Sequence, residues 1–120
     1  MINITIPTTD VVINKQDNPE KSNIYGFLES DIHSIPRDKG GIFMFYNDEE
    51  ELLFVGKARK LRQRVKKHFN DNVSPIKDNR EEVAKIEVCV VDNPVDREIY
   101  ETFMINELQA KYNVEKVFFK

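Results

Sequence analysis

Apolar residues in this chain come in short blocks with turn residues between them, and the period inside each block indicates an element. Ile2 to Ile6 and Val11 to Ile13 are β-prone, Asn18-Pro19 interrupts, and Ser22 to Ser30 suits a short helix. The loop Ser34-Ile35-Pro36-Arg37-Asp38-Lys39-Gly40 delivers the chain into Gly41-Ile42-Phe43-Met44-Phe45-Tyr46, an apolar run expected to be a buried strand. Asn47 to Glu50 reads as a turn and Leu52 to Val55 as the returning strand, so the pair predicts a β-hairpin ended by Gly56. The period then changes. At about 100° per residue, Ala58, Leu61, Val65 and Phe69 fall within about 80° of one another, which predicts a helix packing by that stripe.

A polar loop, Asn70 to Arg80, precedes a third core strand at Ala84 to Val91. Past the breaker Asp92-Asn93-Pro94, a long helix is predicted from Val95 to Tyr112, then Asn113 and a last strand from Lys116 to Phe119. The order β-β-α-β-α-β after an N-terminal extension implies an α+β fold, a small antiparallel or mixed sheet flanked by helices. Residues 1–34 are expected to extend the same domain that residues 35–120 form.

Charge sharpens the picture. Seven of the twelve residues from Lys57 to His68 are Lys or Arg, yet the chain holds 18 basic and 21 acidic residues; outside the segment the balance is 11 to 21. One cationic stripe on an anionic body points to an anionic partner met at a single place, a phosphate backbone above all. On the helical projection Lys57, Lys60, Arg64 and His68 border the core stripe, whereas Arg59, Arg62 and Lys66 point to water. Residues beside a buried face are held by packing, so Arg64 and His68, one turn apart, can be aimed at a ligand. Lys57, Arg59, Lys60, Arg62, Arg64 and Lys67 are the candidate nucleic-acid contacts.

Glu101 carries the second chemical signal. In the last helix Ile105, Leu108 and Tyr112 project within about 40° of it and Met104 within about 60°, so a carboxylate occupies the middle of an apolar stripe. A lone buried carboxylate is costly unless a cation, a metal or several donors meet it. Cys89, the only cysteine, excludes an internal disulfide and sits in an alternating apolar stretch that suits a core residue. No run of 18 apolar residues is present, and a cytoplasmic protein without a membrane partner is expected.

These residues resemble the GIY-YIG nuclease family, most of all the amino-terminal catalytic domain of the excinuclease UvrC. Gly41-Ile42-Phe43, after Ile35-Pro36, stands where the family has G-I-Y, and Phe54-Val55-Gly56 stands where it has Y-I-G. Lys57-Ala58 and Leu61-x-x-Arg64 follow the pattern, His68 holds a position that is His or Tyr in relatives, and Glu101 and Lys111-Tyr112-Asn113 match the later helix and K-Y-N. The resemblance implies a DNA endonuclease of repair or recombination, with other repair proteins as further partners. One Mg²⁺ or Mn²⁺ ion would be held by Glu101, Arg64 would contact the scissile phosphate, and Lys57 would support the phosphate or the water.

Both signature tyrosines are replaced, by Phe43 and Phe54, which keep the ring and lose the hydroxyl that in relatives is thought to orient or deprotonate the attacking water. His68, titrating near neutrality, is the expected local substitute, with packing as its other reading. Tyr46 should face away from Phe43, Tyr100 is expected to be structural, and His33 has no evident partner. Three functions fit: a metal-dependent endonuclease, a nucleic-acid-binding module of the same fold, and a domain whose basic helix meets an acidic protein.

Overall fold

A computed structural model describes residues 4–16 and 24–119. Ile2, Ser22 and the Asn18-Pro19 break therefore lie outside the described residues. The elements are β1 (Val11–Asn14), α1 (Glu29–Ile32), β2 (Gly41–Tyr46), β3 (Leu52–Ala58), α2 (Leu61–His68), β4 (Lys85–Val90) and α3 (Pro94–Glu107). All strand pairings are antiparallel and the order is β1-β4-β2-β3, so the predicted hairpin supplies the β3 edge and the N-terminal segment supplies the other. The α+β expectation holds.

Alternation on the inner strands builds two cores. Phe43, Phe45, Ile86 and Val88 pack on one face with Leu61, Val65 and Phe69, while Ile42, Met44, Val55 and Cys89 pack on the other with Met104 and Ile105. The four residues of the predicted α2 stripe, Ala58, Leu61, Val65 and Phe69, are all buried. Cys89 is a core residue whose thiol burial pushes up to about 11, and Tyr46 lies on the face opposite Phe43 as expected.

Several boundaries differ from expectation for identifiable reasons. Gly56 does not end β3 but lies inside it, because the ring of its cross-strand partner Phe43 fills the space a side chain would take. A Cβ there would stand 2.3 Å from Phe43 Cζ. Gly41 is under a similar constraint, since a Cβ would meet the Cys89 carbonyl oxygen at 2.0 Å. Lys57 consequently belongs to a strand, and α2 starts only at Leu61. The expected helix ending at Ser30 is displaced to Glu29–Ile32, Tyr25 and Gly26 having left-handed φ of 44° and 94°. The 69–80 loop is tied down by the buried Arg80, which opens a short 3-10 turn (Arg80–Glu82) and donates to the carbonyls of His68 (2.6 Å) and Asp71 (2.5 Å).

The last helix begins as predicted, with Asn93 accepting from the backbone N–H groups of Val95 and Asp96 and Pro94 in the first turn. It stops five residues earlier than predicted: Leu108 caps it and Gln109 turns to φ 52°. Tyr112 is therefore off the helix, and its hydroxyl donates to Glu82 at 2.8 Å. No strand forms at Lys116 to Phe119. Instead the chain returns along the open edge of β3, where Lys111 N–H donates to Leu52 O (3.1 Å) and Tyr112 N–H to Leu53 O (2.8 Å). Asn113 completes the seam by donating to Val55 O (2.9 Å) and accepting from Val55 N–H (3.0 Å).

Gly56→Ala should lower stability by about 1–3 kcal/mol through overpacking against Phe43. In urea denaturation, pairing it with Phe43→Leu should recover part of that loss; strictly additive losses would contradict the close packing of ring on glycine.

Candidate active site

Because β3 is an edge strand, a cleft can open across it and draw residues from both faces of the sheet. A cleft of about 480 Å³ does so: Phe43, Phe54, Arg64, Lys67 and His68 line it from the α2 side, Glu101 and Ile105 from α3, and Asn113 and Lys116 from the returning chain. Gly56 and Lys57 form its floor on β3. Arg64 and Glu101, 37 positions apart in sequence, thus face one cavity.

Glu101 is buried at 9 % exposure beside Met104 and Ile105, although Leu108 of the predicted stripe is exposed past the helix end, and its Oε1 accepts from Lys116 Nζ at 2.6 Å. The same ammonium lies 2.6 Å from Oε1 of Glu98, and Lys57 pairs with the second oxygen of Glu98. Two carboxylates one turn apart on α3 therefore share one ammonium, with a second ammonium on the outer side. Hydrogen bonds from Lys116 and then Lys57 hold the Glu98 carboxyl down at about 2. For Lys116 burial works against the charge, but its bonds to Glu101 and Glu98 prevail and raise its pKa. Sequence reasoning found neither Glu98 nor Lys116: Glu98 reads as an ordinary exposed helix acid, and Lys116 lies past a helix end placed too late. The sole available signal was the need of Glu101 for a cation.

Glu101, a carboxylate in a cleft open to solvent with a second carboxylate one turn away, offers the hard oxygen donors that suit a divalent ion. Among the described residues no group of three His, Cys, Asp or Glu converges. Such a site suits an ion that keeps much of its water.

The basic segment sorts itself by partners. Among the described residues Arg59, Lys60, Arg64 and Lys67 have no carboxylate, and with Gln63, Lys66 and Asn70 they line a groove of about 680 Å³ continuous with the cleft at Arg64. Lys66 pairs with Glu29 at 3.7 Å. Arg62, expected to face water as a nucleic-acid contact, is instead a clamp, donating to Ile35 O (2.9 Å) and His33 O (2.7 Å). Side-chain length explains the difference, since a guanidinium can fold back onto carbonyls that a projection does not show.

His68 also departs from expectation. Its ring packs against Phe43, Phe45 and Phe54 at centroid distances of 5.2, 5.8 and 4.9 Å, and its Nδ1 pairs with Ser74 Oγ at 2.6 Å. Burial pushes the imidazole down to about 4, partly opposed by Asp71 and reinforced by Arg64 and Arg80. It is neutral at pH 7 but a weak base, so titration near neutrality does not hold. Phe43 is fully buried, whereas Phe54 is 8 % exposed to the cleft.

The folded pKa of His68 lies below its unfolded value of 6.5, so its contribution is complete above pH 6.5 and is lost as pH falls toward 4. The loss is at most about 3 kcal/mol. Chemical denaturation between pH 7 and 4 should show a shallower decline for His68→Gln than for the unsubstituted protein; equal slopes would remove His68 as a source of acid sensitivity.

A model of the UvrC-like GIY-YIG domain matches residues 39–114. The uncharacterised protein YurQ of Bacillus subtilis is 62 % identical over the full length of both chains. UvrABC system protein C of Salinibacter ruber is 37 % identical over 72 % of this chain, which spans only 14 % of that relative. The N-terminal endonuclease domain of UvrC from Thermotoga maritima, solved bound to its catalytic magnesium, superposes with a TM-score of 0.62 at 26 % identity, over 72 % of this chain and all of that one. A form of that domain in which one tyrosine is phenylalanine, bound to the catalytic divalent cation, superposes equally well. With motif glycines, Arg64, Glu101 and Asn113 gathered around one edge strand, the chain belongs to the GIY-YIG family, in its UvrC-like branch.

Proposed function

We propose that this chain is a metal-dependent endonuclease that hydrolyses phosphodiester bonds in DNA, acting in the cytoplasm in repair or recombination. The observation that carries the reading is that Arg64 and Glu101 line one cleft, which shares Arg64 and Lys67 with a groove lined mainly by cations that have no carboxylate partner among the described residues. Residues 35–120 form the nuclease unit and residues 1–34 extend it.

Arg59, Lys60 and Lys67 hold the strand by its phosphates, which gives affinity without base information. The Arg64 guanidinium offers paired donors to the scissile phosphate as its charge grows toward the transition state. Lys57, fixed by Glu98, sets its positive charge on the floor beside that phosphate. Glu101 would hold the Mg²⁺ or Mn²⁺, which when bound would supply Lewis acidity and acidify water. Asn113 acts through the backbone, locking β3 to the returning chain so that Gly56 and Lys57 keep their place. Phe43 and Phe54 wall the cleft and exclude water from its inner end.

Neither of the expected sources supplies a base matched to neutral pH: His68 is pushed down to about 4, and both motif positions lack a hydroxyl. Cleavage is therefore slow. That a Thermotoga domain carrying phenylalanine for one tyrosine is bound to its cation supports retention of the ion here. The same deficit favours one other reading, a nucleic-acid-binding module of unchanged fold.

Supercoiled and branched DNA with Mn²⁺ or Mg²⁺ should be nicked slowly by the purified protein, faster with Mn²⁺. Arg64→Ala and Glu101→Ala should each lose about 10²- to 10³-fold. Phe54→Tyr, which returns a hydroxyl at the partly exposed position, should raise the rate by up to about 10²- to 10⁴-fold. If none of these proteins cleaves while all bind DNA with the same salt dependence, the binding-module reading replaces the enzyme.

A further inference from the structure

Lys116 comes from outside every regular element, yet its side chain enters the cleft by a constrained route. The Asn113 amide pins the chain to Val55 on one side of it, and Asn106 pins it on the other, donating to Lys116 O at 2.8 Å and accepting from Phe118 N–H at 2.5 Å. Between these anchors Lys116 has φ 60°, a left-handed conformation that a side chain with a Cβ adopts only when its surroundings require it. The outcome is an ammonium 2.6 Å from Oε1 of both Glu98 and Glu101, inside the same cavity as Arg64.

We propose that Lys116 is the resident cation of this site and sets its affinity for divalent ions: its ammonium holds Oε1 of Glu101 and competes with an ion for that carboxylate, so an ion that takes Oε1 requires Lys116 to withdraw. This inference rests on Glu101 being the ion's ligand, as in the reading above. The buried carboxylate is neutralised without a metal, which keeps the fold independent of one. An ion's apparent affinity is then set by the fraction of molecules in which Glu101 is free, and an ammonium paired with both Glu98 and Glu101 on an anchored backbone makes that fraction small. Because Glu98 shares the ammonium, withdrawal also leaves a second carboxylate without its inner partner; only Lys57 remains on it.

The test is direct binding of Mn²⁺ to the full chain at fixed pH and ionic strength, followed by loss of the free-ion electron paramagnetic resonance signal. Lys116→Met keeps the aliphatic stem and Lys116→Gln keeps a polar end, so the result does not depend on one variant folding. Both should bind Mn²⁺ at least about tenfold more tightly than the unsubstituted protein, the factor expected if Glu101 is free in no more than about a tenth of molecules. Lys67→Met removes an equal charge from the same cleft and controls for long-range electrostatics; it should tighten binding far less. Asn106→Ala, which frees the backbone of Lys116 without touching a carboxylate, should reproduce part of the gain. Glu101→Gln should abolish binding. Unchanged Mn²⁺ affinity in Glu101→Gln would refute the ion assignment itself. Loss in Glu101→Gln, with Lys116→Met and Lys116→Gln equal to the unsubstituted protein or no tighter than Lys67→Met, would refute the role of Lys116 alone.

Discussion

The backbone of an outermost strand needs partners, and in this protein that need organises everything else. β3 is hydrogen-bonded to β2 on one side; on the other the chain returning from α3 supplies what a fifth strand would. Open edges are a liability for soluble proteins, and here the cover is short and irregular enough to leave a gap. The gap falls at Gly56 and Lys57, just beyond the Asn113 seam with Val55. Side chains from opposite faces of the sheet can meet there. Had a regular strand run the full length of β3, Arg64 and Glu101 would be separated by a closed sheet.

Charge is distributed with the same economy. An acidic body carries one basic helix, and the cations of that helix are of two kinds. Arg62 is consumed by the fold on backbone carbonyls, Lys66 lines the groove but pairs with Glu29, and Arg64 and Lys67 line it without a carboxylate among the described residues. Arg97 is also consumed: it is buried under Gly40 and donates to the carbonyls of Ala58 and Asp92 (3.0 and 3.1 Å). A formal count of basic residues thus overstates the surface that can meet a polyanion.

How much of this was legible depended on whether a residue is governed by local period or by distant geometry. The hairpin, β4 and the stripe Ala58, Leu61, Val65 and Phe69 follow directly from apolar periodicity, and so does the burial of Glu101, because Met104 and Ile105 fix the helix phase around it. The end of α3 did not, since Gln109 gives no glycine-like stop signal and Tyr112 continues the apolar phase by coincidence. With the end misplaced, Lys116 could not be seen to turn back onto Glu101. Gly56 misled for a related reason: a glycine is a breaker by default, and only the ring of Phe43 across the hairpin shows that a strand needs it. The low basicity of His68 depends on three phenylalanines from two strands, none of them adjacent to it in sequence.

The Arg62 clamp bears on where a minimal version of this protein can begin. The region matching the family starts at residue 39, yet the guanidinium of Arg62 reaches back to carbonyls at 33 and 35. Ile32 and Ile35 are fully buried in the core on which α2 sits. A shortened chain cut at the family boundary would free a guanidinium and uncover the seat of the helix. The orientation of the cation-lined groove is thus set in part by sequence outside the motif, and an expression boundary drawn upstream of β1, whose buried Ile13 belongs to the same core, would preserve it.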